Sequence, residues 1–384
     1  MLIWIRAALA ALIIYWYLLF GLLSPAFSQN PYSGFNPASL TGEKTGIFLE
    51  AKAFGAENTR SLQHIFLDRP QGPSLLDNAN RLDASWNTGT GLFYHGFRFA
   101  AFYRGEVYME ANGDTVQVLR MINKKQNLPV GEIFTVDIRS SGFSAFSLEV
   151  SKGSRLDRMI PGLSMGITLR YLQGDELQEG YITGQFMPTG KTSYWFNLFI
   201  DYAYDRNLVY ERQSTIPGTG RGYSFDLGID YALSGQCKAD ILFRDIGGRI
   251  YWQDTPYTTA DATSDTQGYD SDGYQTYRPL IRGYEGYKDY TQKIPLKTDI
   301  LFSYRLGSFT LTPAVCLIES RPFYWLDLYC QATGNLSFHA GYNLNYQAFS
   351  LGASFRNALL TIMGNDIDIN KIKVIGLMLS LSCH

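Results

Sequence analysis

The sequence predicts an all-β protein, a transmembrane antiparallel β-barrel of about 14 strands. Four long segments alternate strictly between apolar and polar residues, and this period of two is a strand signal. The composition includes 27 Tyr, 24 Phe and 37 Gly, with only 18% charged residues, which favours aromatic, glycine-punctuated β-structure. After residue 28, no apolar run approaches the length of a membrane-spanning helix. If the mature chain enters a membrane, it does so with strands.

The first 28 residues are typical of a secretory signal peptide. Arg6 supplies the positive charge, residues 7–23 are apolar, and Ala26 and Ser28 occupy the cleavage positions. The alternative is an uncleaved anchor helix, because the apolar stretch nearly reaches spanning length. We expect cleavage after Ser28, a lead-in or plug over residues 29–45, and a barrel over residues 46–384.

The four alternating segments each span 11 or more residues, whereas strands of soluble domains commonly have about 5 to 6. Strands that cross a membrane at a tilt need about 9 to 11. Tyrosines at both ends of a stripe are typical of the aromatic girdles at the two membrane interfaces. Lipid cannot satisfy an open strand edge, so such strands must close into a barrel. The predicted lipid-facing stripes are Tyr194, Phe196, Leu198, Ile200, Tyr202 and Tyr204; Tyr223, Phe225, Leu227, Ile229, Tyr231 and Leu233; Ile294, Leu296, Ile300, Phe302, Tyr304 and Leu306; and Leu336, Phe338, Ala340, Tyr342, Leu344 and Tyr346.

Weaker strand signals complete the barrel. They lie near residues 46–54, 92–103, 107–119, 133–138, 143–150, 163–172, 181–187, 238–245, 309–318, 323–332, 349–356 and 372–383. Tight connections at 234–236 and 307–308 predict the periplasmic end, and a long extracellular loop is expected at about 253–293. A C-terminus that returns to the periplasm requires residues 358–363 to form a short strand. The predicted location is the outer membrane, and outer-membrane lipid is the expected surrounding.

The polar faces of these strands predict the lumen. The candidate lumen-lining residues are Asp226, Asp230, Arg244, Asp299, Arg305 and His339. A channel that selects one ion sign gathers one sign of charge, whereas these charges are mixed. They are interpreted as neutralising pairs that fill or narrow the lumen. The alternative is a polar gate around a substrate path.

The long loop contains many tyrosines, including Tyr269, Tyr274 and Tyr277. Stacking aromatics next to Asp and Thr acceptors suit an external site for a ligand or for envelope proteins. The alternative is a solvated loop whose tyrosines pack on one another.

No enzyme, cofactor or metal site is predicted. A nucleophilic enzyme needs a base beside its nucleophile, and His339, near Ser337 and Asn343 on the lumen face, is interpreted as a member of a hydrogen-bond network. The cysteines, Cys237, Cys316, Cys330 and Cys383, show no metal-ligand spacing. The net charge of −2 and the lack of a basic run argue against nucleic acid.

Three local motifs resemble a known family. They are Asn36-Pro37-Ala38-Ser39-Leu40, residues 163–174 (LSMGITLRYLQG), and residues 222–231 (GYSFDLGIDY) followed by Arg244-Asp245-Ile246-Gly247. They are similar to segments of the long-chain fatty acid transporter-like superfamily of outer-membrane barrels, nearest to uncharacterised Bacteroidota members related to type IX secretion and conjugation barrel proteins. The resemblance implies a 14-stranded barrel, a plug at Asn36, Pro37 and Ala38, and a hydrophobic ligand. From the residues alone, Pro37 fixes its φ and restricts Asn36, which suits a wedged turn as well as an ordinary lead-in to the first strand.

Two functions follow as hypotheses. The first is passive transport of hydrophobic or amphipathic small molecules across the outer membrane, which the resemblance implies. The second is a non-transporting binding or scaffold barrel in a secretion or surface-attachment assembly of the envelope, which the mixed lumen charges and the tyrosine-rich loop favour.

Overall fold

The computed structural model describes residues 34–41, 45–57, 80–123, 127–190, 193–205, 219–264, 267–269, 275–277, 281–318, 321–368 and 371–383. The predicted signal peptide lies outside the described residues. The strands are β1 Gly46–Glu57, β2 Asn80–Tyr94, β3 Phe97–Ala111, β4 Phe134–Arg155, β5 Leu163–Pro188, β6 Tyr194–Tyr204, β7 Thr219–Ala232, β8 Cys237–Thr263, β9 Gln267–Tyr269, β10 Gln275–Tyr277, β11 Ile281–Lys293, β12 Lys297–Leu306, β13 Phe309–Ile318, β14 Arg321–Gln331, β15 Leu336–Asn343, β16 Ala348–Phe355, β17 Ala358–Gly364 and β18 Val374–Cys383. One α-helix, α1 (Gly113–Asn123), and a 3₁₀ turn over Pro37–Ser39 complete the described elements.

The strands close into a 14-strand antiparallel barrel, as predicted. Most strands pair with the next one along the chain, and β18 closes the ring by pairing with β1. Two positions in the wall are each filled by two segments. β6 and β7 both lie between β5 and β8, and β11 and β12 both lie along the far edge of β8. The short strand that the sequence requires at 358–363 is β17.

The outer wall is apolar and exposed, while the inner wall is polar and buried. On β16 and β17, Leu351 is 68% and Ile362 56% exposed, whereas their inward neighbours Ser350 and Thr361 are 2% and 0% exposed. A closed barrel with a continuous apolar exterior is stable in lipid, because every backbone group is paired within the wall. The chain is therefore an outer-membrane β-barrel.

The wall is much taller on one side. Strands β12 to β18 have 7 to 11 residues, about one membrane span. β4, β5 and β8 have 22, 26 and 27 residues. The additional length of these strands extends the wall at the end opposite to the tight connections 95–96, 307–308 and 356–357. We name this part of the wall the extracellular extension. It comprises β6, β11 and the adjoining parts of β4, β5 and β8.

Three predicted lipid-facing stripes require correction. Ile200, Tyr202 and Tyr204 of β6 are buried in a cluster with Ala260, because β6 belongs to the extracellular extension and not to the membrane span. Ile294 is also buried, against Trp252, because the chain breaks between β11 and β12 and resets its alternation there. The stripe on β7, the stripe on β15 as far as Leu344, and the stripe on β12 from Leu296 onward follow the predicted parity. Tyr346 does not, because the strand ends at Asn343 and the chain turns; its ring packs against Phe54 and Phe323, and its hydroxyl donates to Asp83 at 2.8 Å.

Several predicted boundaries are also wrong. The strand predicted over 92–103 contains a hairpin turn, in which His95 and Gly96 have φ of 47° and 74°. The strand predicted over 107–119 ends at Ala111, because the Asn112 side chain accepts the Thr115 N–H at 3.1 Å and caps α1. Much of the loop predicted at 253–293 is strand, because β8 continues to Thr263 and β11 begins at Ile281. In the described ranges, no helix is long and apolar enough to cross a membrane.

Candidate functional site in the barrel lumen

A bulge in β8 turns two consecutive side chains into the lumen. Asp245 has φ of 58° and Gly247 of 62°, and the pairing of β7 with β8 is irregular beside them. Asp tolerates this left-handed conformation better than most residues do. The local break in alternation lets both Arg244 and Asp245 face inward. Without it, one of the two would face lipid.

Asp245 is the centre of a buried ion-pair network. Its carboxylate accepts hydrogen bonds from Arg104 at 2.9 and 3.0 Å, from Arg170 at 3.0 Å and from Lys297 at 2.9 Å. The Ser224 hydroxyl adds a bond at 3.0 Å. These donors come from β3, β5, β7 and β12, so one carboxylate forms hydrogen bonds to strands on several sides of the barrel.

Further pairs extend this network. Arg170 also binds Glu149 at 2.7 Å and Asp226 at 2.8 Å. Arg98 binds Glu149 at 3.0 Å, and Glu106 bridges Arg104 and Lys297. We name as the lumen network these four cations and four anions: Arg98, Arg104, Arg170, Lys297, Glu106, Glu149, Asp226 and Asp245. Its formal charges cancel. Buried charges are stable only when paired and hydrogen-bonded, and here each acid has a cation within 3.0 Å.

The N-terminal segment crosses the lumen next to this network. The Asn36 side chain accepts the Ala38 N–H at 2.9 Å and lies 3.3 Å from the Ile229 carbonyl. Pro37 and Ala38 are buried. A Cβ on Gly228 would lie 2.0 Å from Asn36 Oδ1, and one on Gly166 would lie 2.3 Å from the Pro37 carbonyl carbon. Glycine at both wall positions is therefore what allows the close approach, and the three motifs that carry the family resemblance meet here.

The same segment contacts the charged groups directly. The Phe35 ring lies 4.4 Å from the Arg98 guanidinium, and the Gly34 N–H points to Asp299 at 3.4 Å. Asp299 in turn pairs with Arg244 at 2.9 Å. Leu40 packs with Phe48 of β1. A cavity of about 100 Å³ remains between the segment and the network, room for about three waters.

The structure brings together only some of the predicted lumen residues. Asp226, Arg244 and Asp299 lie in or beside the network. Asp230 pairs with the half-exposed Lys238 nearer the periplasmic end, and Arg305 is exposed beside the turn at Gly307.

His339 lies in a separate environment. Its Nε2 is 3.7 Å from Asp327, and Ser337 pairs with Ser354 and not with the imidazole. Across the described ranges, no three His, Cys, Asp or Glu side chains meet as a metal site. The absence of an enzyme activity stays a prediction.

Sequence patterns did not assign Asp245, which the bulge hides from alternation, or five further members of the network: Arg98, Arg104, Glu106, Glu149 and Arg170. These five lie on strands whose outward residues are large and apolar, such as Phe99, Leu148 and Leu169. The alternation of apolar and polar residues within β3, β4 and β5 indicates that these charged side chains face the lumen. The pattern was not recognised because the predicted boundaries of these strands were wrong.

Above the network, on the extracellular side, the lumen becomes apolar. We name this apolar layer by its buried residues: Phe143, Leu172, Leu177, Ile250, Trp252 and Ile294. The Trp252 indole N–H donates to Gln292 at 3.2 Å, and Gln292 donates to the Gly142 carbonyl at 3.0 Å. The layer therefore contains few polar groups, and these bond to one another.

An extracellular vestibule of about 430 Å³ adjoins this layer through Tyr290. Its lining combines aromatic and ionic groups: Tyr108, Tyr181, Tyr290, Arg139, Lys288 and Arg321. Burial raises the pKa of Glu179, and burial together with the Glu179 carboxylate raises the pKa of Tyr290. Both groups therefore favour their protonated forms relative to free side chains. The volume falls within the range of small-molecule sites.

Two of the predicted external tyrosines, Tyr269 and Tyr277, lie in the connection between β8 and β11. Tyr269 pairs with Gln275, and Tyr277 with Gln267, in the short β9–β10 hairpin. Tyr274 lies outside the described residues. A ligand or partner role for this loop stays a prediction.

No known family model matches the chain, and no curated protein matches it. Among solved structures, a deltaS2S3 mutant of the TodX monoaromatic hydrocarbon channel is similar at 10% identity, with a TM-score of 0.49 over 91% of this chain and 92% of that one. The toluene transporter TodX of Pseudomonas putida is similar at 10% identity, with a TM-score of 0.42 over 94% and 95%. The toluene transporter TbuX of Ralstonia pickettii is similar at 9% identity, with a TM-score of 0.35 over 91% and 92%.

Proposed function

We propose that this barrel is a passive outer-membrane channel for hydrophobic or amphipathic small molecules, and that it belongs to the fatty acid transporter-like barrels its motifs resemble. The observation that carries the proposal is the apolar layer inside the lumen, directly below a vestibule open to the exterior. A general porin keeps its lumen polar so that water and hydrophilic solutes pass. Here a hydrophilic solute would lose its hydration at Trp252 and Leu177.

The proposal explains why aromatic and apolar groups follow one another along the path. An apolar molecule leaves water at the vestibule, where Tyr108, Tyr181 and Tyr290 offer ring faces. It gains further free energy by moving against the apolar layer, because burial of apolar surface is favourable by about 25 cal/mol per Å². An amphipathic molecule can keep its polar end near the vestibule charges.

The N-terminal segment acts as the plug in this proposal. It occupies the lumen between the network and the periplasmic end, so passage requires it to move. Its polar contacts with the wall suit a reversible motion because they are long: the Asn36 side chain donates at 3.3 and 3.5 Å, and the Gly34 N–H at 3.4 Å. Because Gly166 and Gly228 have no side chains, this part of the wall does not obstruct movement of the N-terminal segment.

Uptake measurements test the channel. Cells with and without the barrel are supplied with a labelled long-chain fatty acid, an alkane, a monoaromatic hydrocarbon and a hydrophilic sugar. We expect faster uptake of at least one apolar compound and no change for the sugar. Equal rates for every apolar compound, or faster sugar entry, would contradict the proposal.

A matched pair of variants connects the transport to the apolar layer. Leu177→Gln places an amide in the layer, and we expect uptake to fall about fivefold or more, because an unpaired buried amide costs roughly 1 to 3 kcal/mol. Leu119→Gln makes the same change on α1, where the side chain is 44% exposed. Uptake by that variant should equal the wild type. Heat-modifiable gel mobility checks that both barrels are folded.

A further inference from the structure

One row of outward-facing residues runs around the tall side of the barrel. In register on adjacent strands, Ala101 pairs with Leu148, Leu148 with Tyr171, and Tyr171 with Tyr223. Tyr223 pairs with Arg249, and Arg249 with Lys293. The row therefore changes from apolar to aromatic to cationic. It lies where the membrane-spanning wall gives way to the extracellular extension.

The cationic end of the row is a basic patch. Arg249 and Lys293 are directly opposed, and Arg221 is diagonal to Arg249 because it pairs with Tyr251. All three side chains are exposed. Within the described part of the chain, none of the three forms an ion pair with a carboxylate. Like charges placed opposite each other on neighbouring strands destabilise a sheet, and an anion bound between them removes that cost.

Next to the patch, the outer wall contains an apolar groove of about 750 Å³. Tyr171 and Tyr223 form its upper end, and Leu148, Leu169 and Phe225 form its sides. Ala101 lies at the floor of the groove, where its small side chain leaves space between larger residues. Tyr223 belongs to both features, since it lines the groove and pairs with Arg249.

We propose that the patch and the groove together form a binding site for a phosphorylated lipid of the outer leaflet. The phosphate would bind at Arg221, Arg249 and Lys293, and an acyl chain would lie in the groove. Tyrosines between the two regions match the headgroup boundary, where aromatic side chains with a polar tip are favourable. The chemistry fits an anionic headgroup on an apolar tail better than a soluble anion, because a soluble anion would not need the groove.

The charges in the lumen do not account for this patch. The lumen network is neutral and lies on the inner face, whereas the patch faces outward with exposed side chains. A basic residue near an anionic membrane surface contributes about fivefold in affinity. Three such residues predict an effect on the order of 100-fold.

Native mass spectrometry of the purified full chain tests the site. The probes are bis-phosphorylated lipid A, the same lipid after removal of both phosphates, and phosphatidylethanolamine. We expect the wild type to retain the phosphorylated lipid most strongly. The triple variant Arg221→Gln, Arg249→Gln and Lys293→Gln should bind it about 100-fold more weakly, and Ala101→Phe, which fills the groove, should also weaken binding.

The control variant carries the same loss of charge at the opposite rim: Arg155→Gln, Arg158→Gln and Arg356→Gln, all exposed at the periplasmic end. It should bind the phosphorylated lipid like the wild type. Equal loss in both triple variants, or equal binding of the lipid with and without phosphate, would overturn the proposal. Retention in Arg221→Lys with Arg249→Lys would support it, because the charge is kept while the side chains change.

Discussion

Asp245 determines whether the charges in the lumen balance. It pairs with Arg104, Arg170 and Lys297, and it is 2% exposed. Asp245→Asn removes one anion and leaves an uncompensated buried cation. Breaking a buried pair in this way costs about 3 to 5 kcal/mol. We expect urea unfolding in detergent micelles to show a loss of that size.

The matched control substitution is Asp230→Asn. Asp230 pairs with Lys238, whose side chain is 44% exposed, so water can replace the lost partner. An exposed pair contributes about 0 to 1 kcal/mol. If the two substitutions destabilise the barrel equally, the network around Asp245 is not the stabilising centre that its hydrogen bonds indicate.

At the scale of one strand, β12 separates the lipid face from the lumen face. Ile300 is 42% exposed on the outer wall, while its neighbour Asp299 is 3% exposed and pairs with Arg244. Ile300→Lys places a charge in lipid, which costs about 2 to 4 kcal/mol near the membrane centre. We expect a lower folded yield in vesicles and a lower midpoint of urea unfolding.

Ile367→Lys is the control for β12. The same change is made where the side chain is fully exposed, in the connection between β17 and β18, so neither yield nor midpoint should change. A harmless Ile300→Lys would mean that the β12 stripe does not face lipid.

The strands differ in how far the sequence predicts them. β7, β15 and most of β12 follow from alternation, because lipid on one side and polar groups on the other impose a period of two. β6 has the same period, but the part of its stripe from Ile200 to Tyr204 is buried above the membrane. Alternation indicates that the two faces of a strand differ in polarity. It does not indicate whether lipid or protein covers the apolar face.

Turns and bulges set the other limit on prediction. The His95-Gly96 turn lacks the Asn or Asp that commonly marks a two-residue hairpin. At Asp245 a bulge breaks the alternation, so simple parity assigns either Arg244 or Asp245 to the lumen but never both. The predicted part of the site, Asp226 with Arg244 and Asp299, keeps the alternation of its own strands, since Arg244 precedes the bulged residue.

For the molecule as a whole, the N-terminal segment and the lumen network occupy the barrel interior by different physical means. The segment fills space, as the contacts of Asn36 with Gly228 show. The network holds equal numbers of cations and anions, and the adjoining pair Arg244 and Asp299 is also neutral. Displacing the segment should therefore widen the lumen without giving it a charge.

Gly228→Leu tests this division of roles in planar bilayers. Its first side-chain atom would lie 2.0 Å from Asn36 Oδ1, so the segment must move away from β7. We expect a higher ion conductance than the wild type, with a reversal potential near zero in a KCl gradient, because selectivity requires an excess of one sign of charge. Gly235→Leu is the control, since nothing lies within 4 Å of the added atom, and its conductance should match the wild type. Adding Asp245→Asn to Gly228→Leu leaves the lumen positive and should shift the reversal potential toward that of chloride. Unchanged conductance in Gly228→Leu would show that the segment around Asn36 does not close the barrel.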